Sequence, residues 1–169
     1  MPMKTTSHGI LSPERDDDRV RIIEMLEKAY WMEIETVMSY ISNSINPDGV
    51  RAQEIKESLQ QDIQEELTHA QQFGARIKEL YGVVPGSMEF QGEQTYLQPP
   101  EKQTDIPSVI RGVIEAETLA ISHYNGIIEA CSGVDPVTED MMIGILRDEE
   151  GHRRLFEGYL SEYEAQRPS

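Results

Sequence analysis

Glu65-Glu66-Leu67-Thr68-His69 lies in the middle of a long stretch with helical spacing, and the chain repeats its essential part as Glu149-Glu150-Gly151-His152. On a helix, residues three apart share a face, with Cβ atoms about 5–6 Å apart. Glu66 with His69 can therefore offer an oxygen and a nitrogen to one metal ion, and Glu149 with His152 can do the same for a second. Working outward, each copy is preceded by a lone glutamate with a tyrosine seven residues after it: Glu33 with Tyr40, then Glu117 with Tyr124. Glu33 and Tyr40 recur at an offset of 84 residues, and Glu66, His69 and Phe73 recur at 83. Such agreement in identity and register marks a duplicated helical hairpin, packed on itself about a pseudo-two-fold axis.

The apolar pattern around these residues predicts four helices. Ser12-Pro13-Glu14 reads as an N-cap, a first-turn proline and a first-turn acid. The stripe that follows, Ile23, Leu26, Tyr30, Glu33, Val37 and Tyr40, sets Glu33 inside an otherwise apolar face. Asn46-Pro47-Asp48-Gly49 is a turn too short for anything but antiparallel neighbours. A second helix is expected over about 50–80, ending at Gly82 and Pro85, with Glu66 and His69 on the stripe of Leu59, Phe73 and Ile77. From 82 to about 105 the period disappears among Pro85, Gly86, Gly92, Pro99 and Pro100, as in a crossover running the length of the molecule. A third helix starts near Asp105 or Pro107 and carries Val113, Glu117 and Tyr124, with Gly133 at its C′ position. Asp135-Pro136 opens a fourth, with Ile145, Glu149, His152 and Phe156 on one face. The expectation is an all-α, four-helix bundle over residues 13–166, made of two hairpins joined by the long crossover, behind a flexible tail of residues 1–12.

In such a bundle Glu66 and Glu149 reach the centre and can bridge two metals, while Glu33 and Glu117 supply one terminal ligand each. Four buried carboxylates without counter-charge would be prohibitive, and two divalent ions neutralise them. Oxygen-rich ligation with one imidazole per metal suits two iron ions, with manganese as the second choice, and not tetrahedral zinc. Tyr40 and Tyr124 are placed to hydrogen-bond the ligating carboxylates. Glu35, Glu65, Glu115 and Glu150 flank the set, and the helical period turns them outward; Asp62 is expected at the surface. His8 falls in the tail, His123 is expected to be a packing residue, and Cys131 a small core residue.

Composition narrows the setting. Thirty-one acidic against 15 basic residues give a formal charge of −16, which repels nucleic acid and anionic membranes and attracts cations. One cysteine leaves no intrachain disulfide. No apolar leader and no spanning run of about 18 residues is seen, so a cytoplasmic location is expected.

With Glu33 and Tyr40, Glu66-x-x-His69, Glu117 and Tyr124, and Glu149-x-x-His152 in this order, the chain resembles the ferritin-like superfamily, and within it bacterioferritins and Dps-like ferritins. The resemblance implies a ferroxidase centre oxidising Fe(II) with dioxygen or hydrogen peroxide, in a homo-oligomeric shell, possibly closed as a cage, that stores ferric mineral. Leu67 stands where bacterioferritins carry a haem-ligating methionine, so the resemblance implies no haem held in that way. Three alternatives stay open on the residues: a di-metal peroxidase or catalase, a hydroxylase of the same fold with a run like His123-Tyr124-Asn125, and a scaffold without chemistry.

Overall fold

The computed structural model describes residues 9–166. Four long helices carry the fold: α1 (Asp16–Ile45), α2 (Ala52–Glu79), α3 (Ile106–Cys131) and α4 (Pro136–Ala165). Four short 3-10 turns accompany them, and no strand occurs among the described residues. α1 packs on α2 and α3 on α4 along most of their lengths, and α1 also meets α3. Among the described residues no helix is long and apolar enough to cross a membrane.

The helix starts and stops have local causes. Asp105 and Asp135 accept hydrogen bonds from Ser108 N and Thr138 N, so both aspartates cap their helices, as the sequence suggests for Asp135. Gly133 adopts φ +71° just beyond α3, the left-handed conformation a glycine takes at least cost. At the end of α2 it is Tyr81, not Gly82, that takes the left-handed turn, at φ +69°. Ser12 caps no α-helix: it precedes a 3-10 turn over Pro13–Arg15, makes no side-chain cap bond, and α1 starts at Asp16.

Residues 9–12, expected in a flexible tail, are part of the fold. Ile10 is buried in the core, and Arg19 donates to the carbonyls of Ile10 and Ser12, which ties residues 9–12 to α1. Residues 1–8, with His8, lie outside the described residues.

The apolar core is in two parts. One contains Leu26, Phe73, Ile77, Tyr124, Met142 and Ile145; the other contains Ile55, Leu59, Ile110, Val113, Tyr40 and Phe156. Cys131 belongs to the first part and is fully buried. Between the two, every helix contributes ionisable side chains to a buried layer: Glu33, Glu66 with His69, Glu117, and Glu149 with His152.

The crossover is fixed by polar contacts that also correct one expectation. Glu35 is buried, because the crossover covers it: Oε1 accepts the backbone N–H groups of Glu93 at 2.8 Å and Gln94 at 2.7 Å. Gln94 Nε2 donates to Thr36 Oγ1 and Asn43 Nδ2 donates to Leu97 O. Gly112 of α3 lies under this segment, where a Cβ would come within 2.5 Å of Tyr96 O. Only a residue without a side chain lets the crossover approach so closely.

Candidate metal centre

All six residues expected as ligands converge in the middle layer, and they form two groups. Glu33, Glu66, His69 and Glu149 are one; Glu66, Glu117, Glu149 and His152 are the other. Within each group the potential ligand atoms lie within 4.8 Å of one another, near enough for an ion with ligand bonds of roughly 2.0–2.2 Å to draw them in. Glu66 and Glu149 belong to both groups, and each divides its oxygens between them. Glu66 Oε2 is 3.4 Å from His69 Nδ1 and Oε1 is 3.3 Å from His152 Nδ1. Glu149 Oε1 is 3.0 Å from His69 Nδ1 and Oε2 is 3.6 Å from His152 Nδ1. Glu33 and Glu117 each reach a single imidazole, His69 at 3.8 Å and His152 at 3.9 Å.

These atoms converge without bonding one another. Both oxygens of Glu66, Oε1 of Glu149, and the Nδ1 atoms of His69 and His152 are buried and have no hydrogen-bond partner. Buried polar atoms left unpaired are costly. Donor atoms gathered within 4.8 Å of one another yet unpaired are what ligands around a cation look like, and are unlike a hydrogen-bonded cluster. The donor set fits the ions that the sequence implies: four carboxylates and two neutral imidazoles balance two divalent cations.

Electrostatics make the same point. Burial, together with the charges of Glu66 and Glu149, pushes the Glu33 carboxyl well above its ordinary value, and Glu117 behaves likewise. Burial lowers the affinity of His69 for a proton, but the adjoining carboxylates of Glu149 and Glu66 outweigh it and hold the imidazole up at about 10. His152 is raised for the same reason. Burial likewise disfavours the charged form of Glu149, yet the two imidazoles beside it hold its carboxyl below the ordinary range. The protein groups alone thus gather protons where two cations would otherwise carry the positive charge.

The tyrosines are crossed. Tyr40 of α1 donates to Glu117 of α3 at 2.5 Å, and Tyr124 of α3 donates to Glu33 of α1. Both rings are fully buried, so burial first, and then the charges of Glu117 and Glu33, keep the phenols protonated.

Three acids near the centre depart from expectation. Asp62 is buried and not at the surface: it faces His152 Nε2 at 3.7 Å, and burial pushes its carboxyl up to about 6. Glu65 is exposed, as the period predicts, yet its Oε2 accepts from His152 Nε2 at 3.0 Å. Asp148, which the sequence reading passes over, accepts from His69 Nε2 at 3.1 Å. Its signal was the Asp-Glu pair at 148–149, which matches Glu65-Glu66 at the repeat offset. His123 is a packing residue as expected, and its Nε2 donates to Met25 O.

A model of the ferritin-like domain matches residues 23–165. The chain belongs to the ferritin-like family. The DNA protection during starvation protein of Pyrococcus furiosus is 31% identical over 149 residues, covering 85% of this chain and 79% of the relative. The bacterioferritin of Desulfovibrio desulfuricans is 25% identical over 148 residues, covering 87% of this chain and 78% of that one. A solved structure of a Desulfovibrio desulfuricans bacterioferritin, described by its diiron site, superposes with a TM-score of 0.78 at 23% identity over 92% of this chain and 86% of the other. A dodecameric thioferritin from Bacteroides fragilis gives a TM-score of 0.77 at 24% identity, over 87% and 88% of the two chains. These superpositions confirm that the four helices and their crossover form a ferritin-like bundle.

Proposed function

We propose that this ferritin-like protein is a ferroxidase, with Glu33, Glu66, His69, Glu117, Glu149 and His152 as the ligands of two iron ions taken up as Fe(II). The observation that carries the reading is the division of the Glu66 and Glu149 oxygens between two otherwise separate ligand groups. A carboxylate shared in this way sets two irons side by side, so that each can give up one electron to a single oxidant.

The electron count then closes. Two Fe(II) become two Fe(III), and dioxygen with two electrons and two protons becomes hydrogen peroxide, or hydrogen peroxide with the same becomes two waters. Tyr124 and Tyr40 orient the terminal carboxylates of Glu33 and Glu117, and the apolar layers on either side limit water. The formal charge of −16 draws Fe(II) toward the protein. In this reading the chain serves iron storage and detoxification as a homo-oligomer; its relatives, a starvation-protection protein, a bacterioferritin and a dodecameric thioferritin, support it.

The test is addition of Fe(II) in air to the purified, metal-stripped protein. Ferric absorbance is expected to develop rapidly with the native chain and to lose its fast phase in Glu66→Ala and Glu149→Ala. Unchanged kinetics in both variants would end the ferroxidase reading.

A further inference from the structure

A cavity of about 390 Å³, apart from the metal centre, is lined by α1, α3 and the crossover, and its size is that of a pocket for a small organic molecule. Met32 of α1, Leu119 of α3 and the α3 backbone at Gly126 give it apolar walls; Gln94 and Tyr96 of the crossover add polar groups. Gln94 is only 4% exposed, and its amide is held one way round: Nε2 donates to Thr36 Oγ1 at 2.8 Å and to Met32 O at 3.3 Å, and a carbonyl can only accept. Oε1 is left buried with no partner, an acceptor in need of a donor. His123, also in the lining, donates from Nε2 to Met25 O, and burial keeps the ring neutral, so Nδ1 is a second acceptor. Tyr96 remains a donor, since burial and then the Glu35 charge push its phenol up to about 12. Lys28 in the lining is balanced by Glu35 and Glu93, so the cavity holds no surplus positive charge to attract an anion. One residue joins this cavity to the metal centre. The rings of His123 and Tyr124 have centroids 6.1 Å apart, and Tyr124 donates to Glu33.

We propose that this cavity binds a neutral, planar hydroquinone, and that the hydroquinone's electrons enter the metal centre by way of His123 and Tyr124. The inference rests on the ferroxidase reading, because iron held as Fe(III) must be reduced before it can leave as Fe(II). A hydroquinone matches the lining group by group. One hydroxyl supplies the donor that Gln94 Oε1 lacks, the second accepts from the Tyr96 hydroxyl, and the flat ring lies against the Met32 thioether and Leu119. Being uncharged, it avoids the repulsion from Glu35 and Glu93 that an anionic reductant would meet. The balance closes on two electrons. The hydroquinone breaks two O–H bonds, gives up two electrons and two protons and departs as the quinone, while two Fe(III) ions become two Fe(II). The protons pass to water at the mouth of the cavity, where Lys28 and Ser122 are exposed.

The test uses naphthohydroquinone under argon and the full-length protein. Calorimetry on the metal-free native chain is expected to show saturable binding of one molecule per chain. Leu119→Glu, at a position 40% exposed, sets a charge on the apolar wall and should weaken binding by about tenfold or more. Gln94→Leu should weaken it by roughly tenfold, the effect of losing one hydrogen bond. The dimethyl ether of naphthohydroquinone has no hydroxyl, so it should bind the native chain about as weakly and lose nothing further in Gln94→Leu. A crossover merely disturbed by the substitution would weaken both ligands alike. Electron entry is read separately. The chain is loaded by Fe(II) in air, and naphthohydroquinone is then added under argon with a ferrous chelator. Release should saturate with naphthohydroquinone and give two Fe(II) for each molecule oxidised. Reduction by dithionite, an inorganic reductant that needs no such cavity, sets the reference rate for every variant. Against that reference, Leu119→Glu should slow release about tenfold at limiting naphthohydroquinone, in step with its weaker binding. His123→Leu should slow it at saturating naphthohydroquinone, where affinity no longer counts.

Absence of saturable binding to the metal-free native chain overturns the proposal, whatever the iron does. Undiminished affinity in Leu119→Glu would set the ligand elsewhere and do the same. If the dimethyl ether binds the native chain as tightly as naphthohydroquinone, Gln94 anchors no hydroxyl and the hydroquinone assignment falls. Release unmoved in His123→Leu, with binding as expected, overturns the route through Tyr124. A native chain that binds naphthohydroquinone yet never oxidises Fe(II) ends the ferroxidase reading and the electron route with it, while the cavity keeps its ligand.

Discussion

The crossed tyrosines give each terminal glutamate a partner on the other hairpin, so the positions of Glu33 and Glu117 depend on how the hairpins pack. Tyr124→Phe removes a single hydroxyl from a buried bond to a carboxylate. Metal affinity in the Glu33 half is expected to drop by roughly tenfold, in keeping with other partners of ligating groups, with little change in the Glu117 half. Co(II) titration reads both. A second residue-scale prediction concerns His123. Burial holds its imidazole below the ordinary value, with Lys28 nearby acting in the same sense. The unfolded chain therefore binds a proton at pH values where the folded one does not, and stability falls as pH drops through about 6.5 toward the lower folded value. His123→Gln keeps a donor for Met25 O and removes the titration. The difference in melting temperature between variant and native protein should move in the variant's favour from pH 7 to pH 5, and a pH-independent difference would refute it. At this scale the six candidate ligands were legible because helical period and repeat register fix which face a residue occupies. The partners of Tyr40 and Tyr124 were not, since period says nothing of which neighbouring helix a side chain meets. Nor was Asp148, a half-buried residue whose carboxylate reaches back over the seam.

Among the elements, the helices followed from their stripes and caps, while the crossover followed only as a gap in the pattern. Its path is set by groups that no period reveals: backbone N–H groups of Glu93 and Gln94 on the Glu35 carboxylate, and the side chain of Asn43 on Leu97 O. Glu35 looked like a solvent-facing acid because nothing in α1 itself shows that a distant segment will cover it. Glu35→Ala leaves two backbone donors without their acceptor, and a lost buried hydrogen bond of this kind costs about 1–3 kcal/mol. Chemical denaturation should show that loss, and hydrogen exchange should localise the opening to residues 82–105. Gly112→Ala tests the same contact from below: a methyl 2.5 Å from Tyr96 O must displace the crossover, at a cost of about 1–3 kcal/mol. If Gly112→Ala were neutral, the close approach would not hold the segment in place.

For the whole molecule, the middle layer is a liability to folding that the chemistry of the site requires. Two well-packed apolar regions flank a layer in which both oxygens of Glu66 and the Nδ1 atoms of both histidines lack hydrogen bonds. Buried charges disfavour folding unless they are compensated, and residues arranged for binding are commonly less than optimal for stability. Divalent metal should therefore act as a stabiliser of the native bundle. At a concentration 100 times Kd, one bound ion contributes about 2.7 kcal/mol, which for a chain of this size is a rise of about 5–10 °C in melting temperature. Replacing Glu66 and Glu149 together by glutamine keeps the volumes and removes two buried negative charges. Added Co(II) should raise the melting temperature of this double variant by about 1 °C or less, because the shared carboxylates are gone. Calorimetry of the four samples, each protein with and without Co(II), checks both halves of this prediction. An undiminished response of the double variant to Co(II) would mean that the ions bind elsewhere.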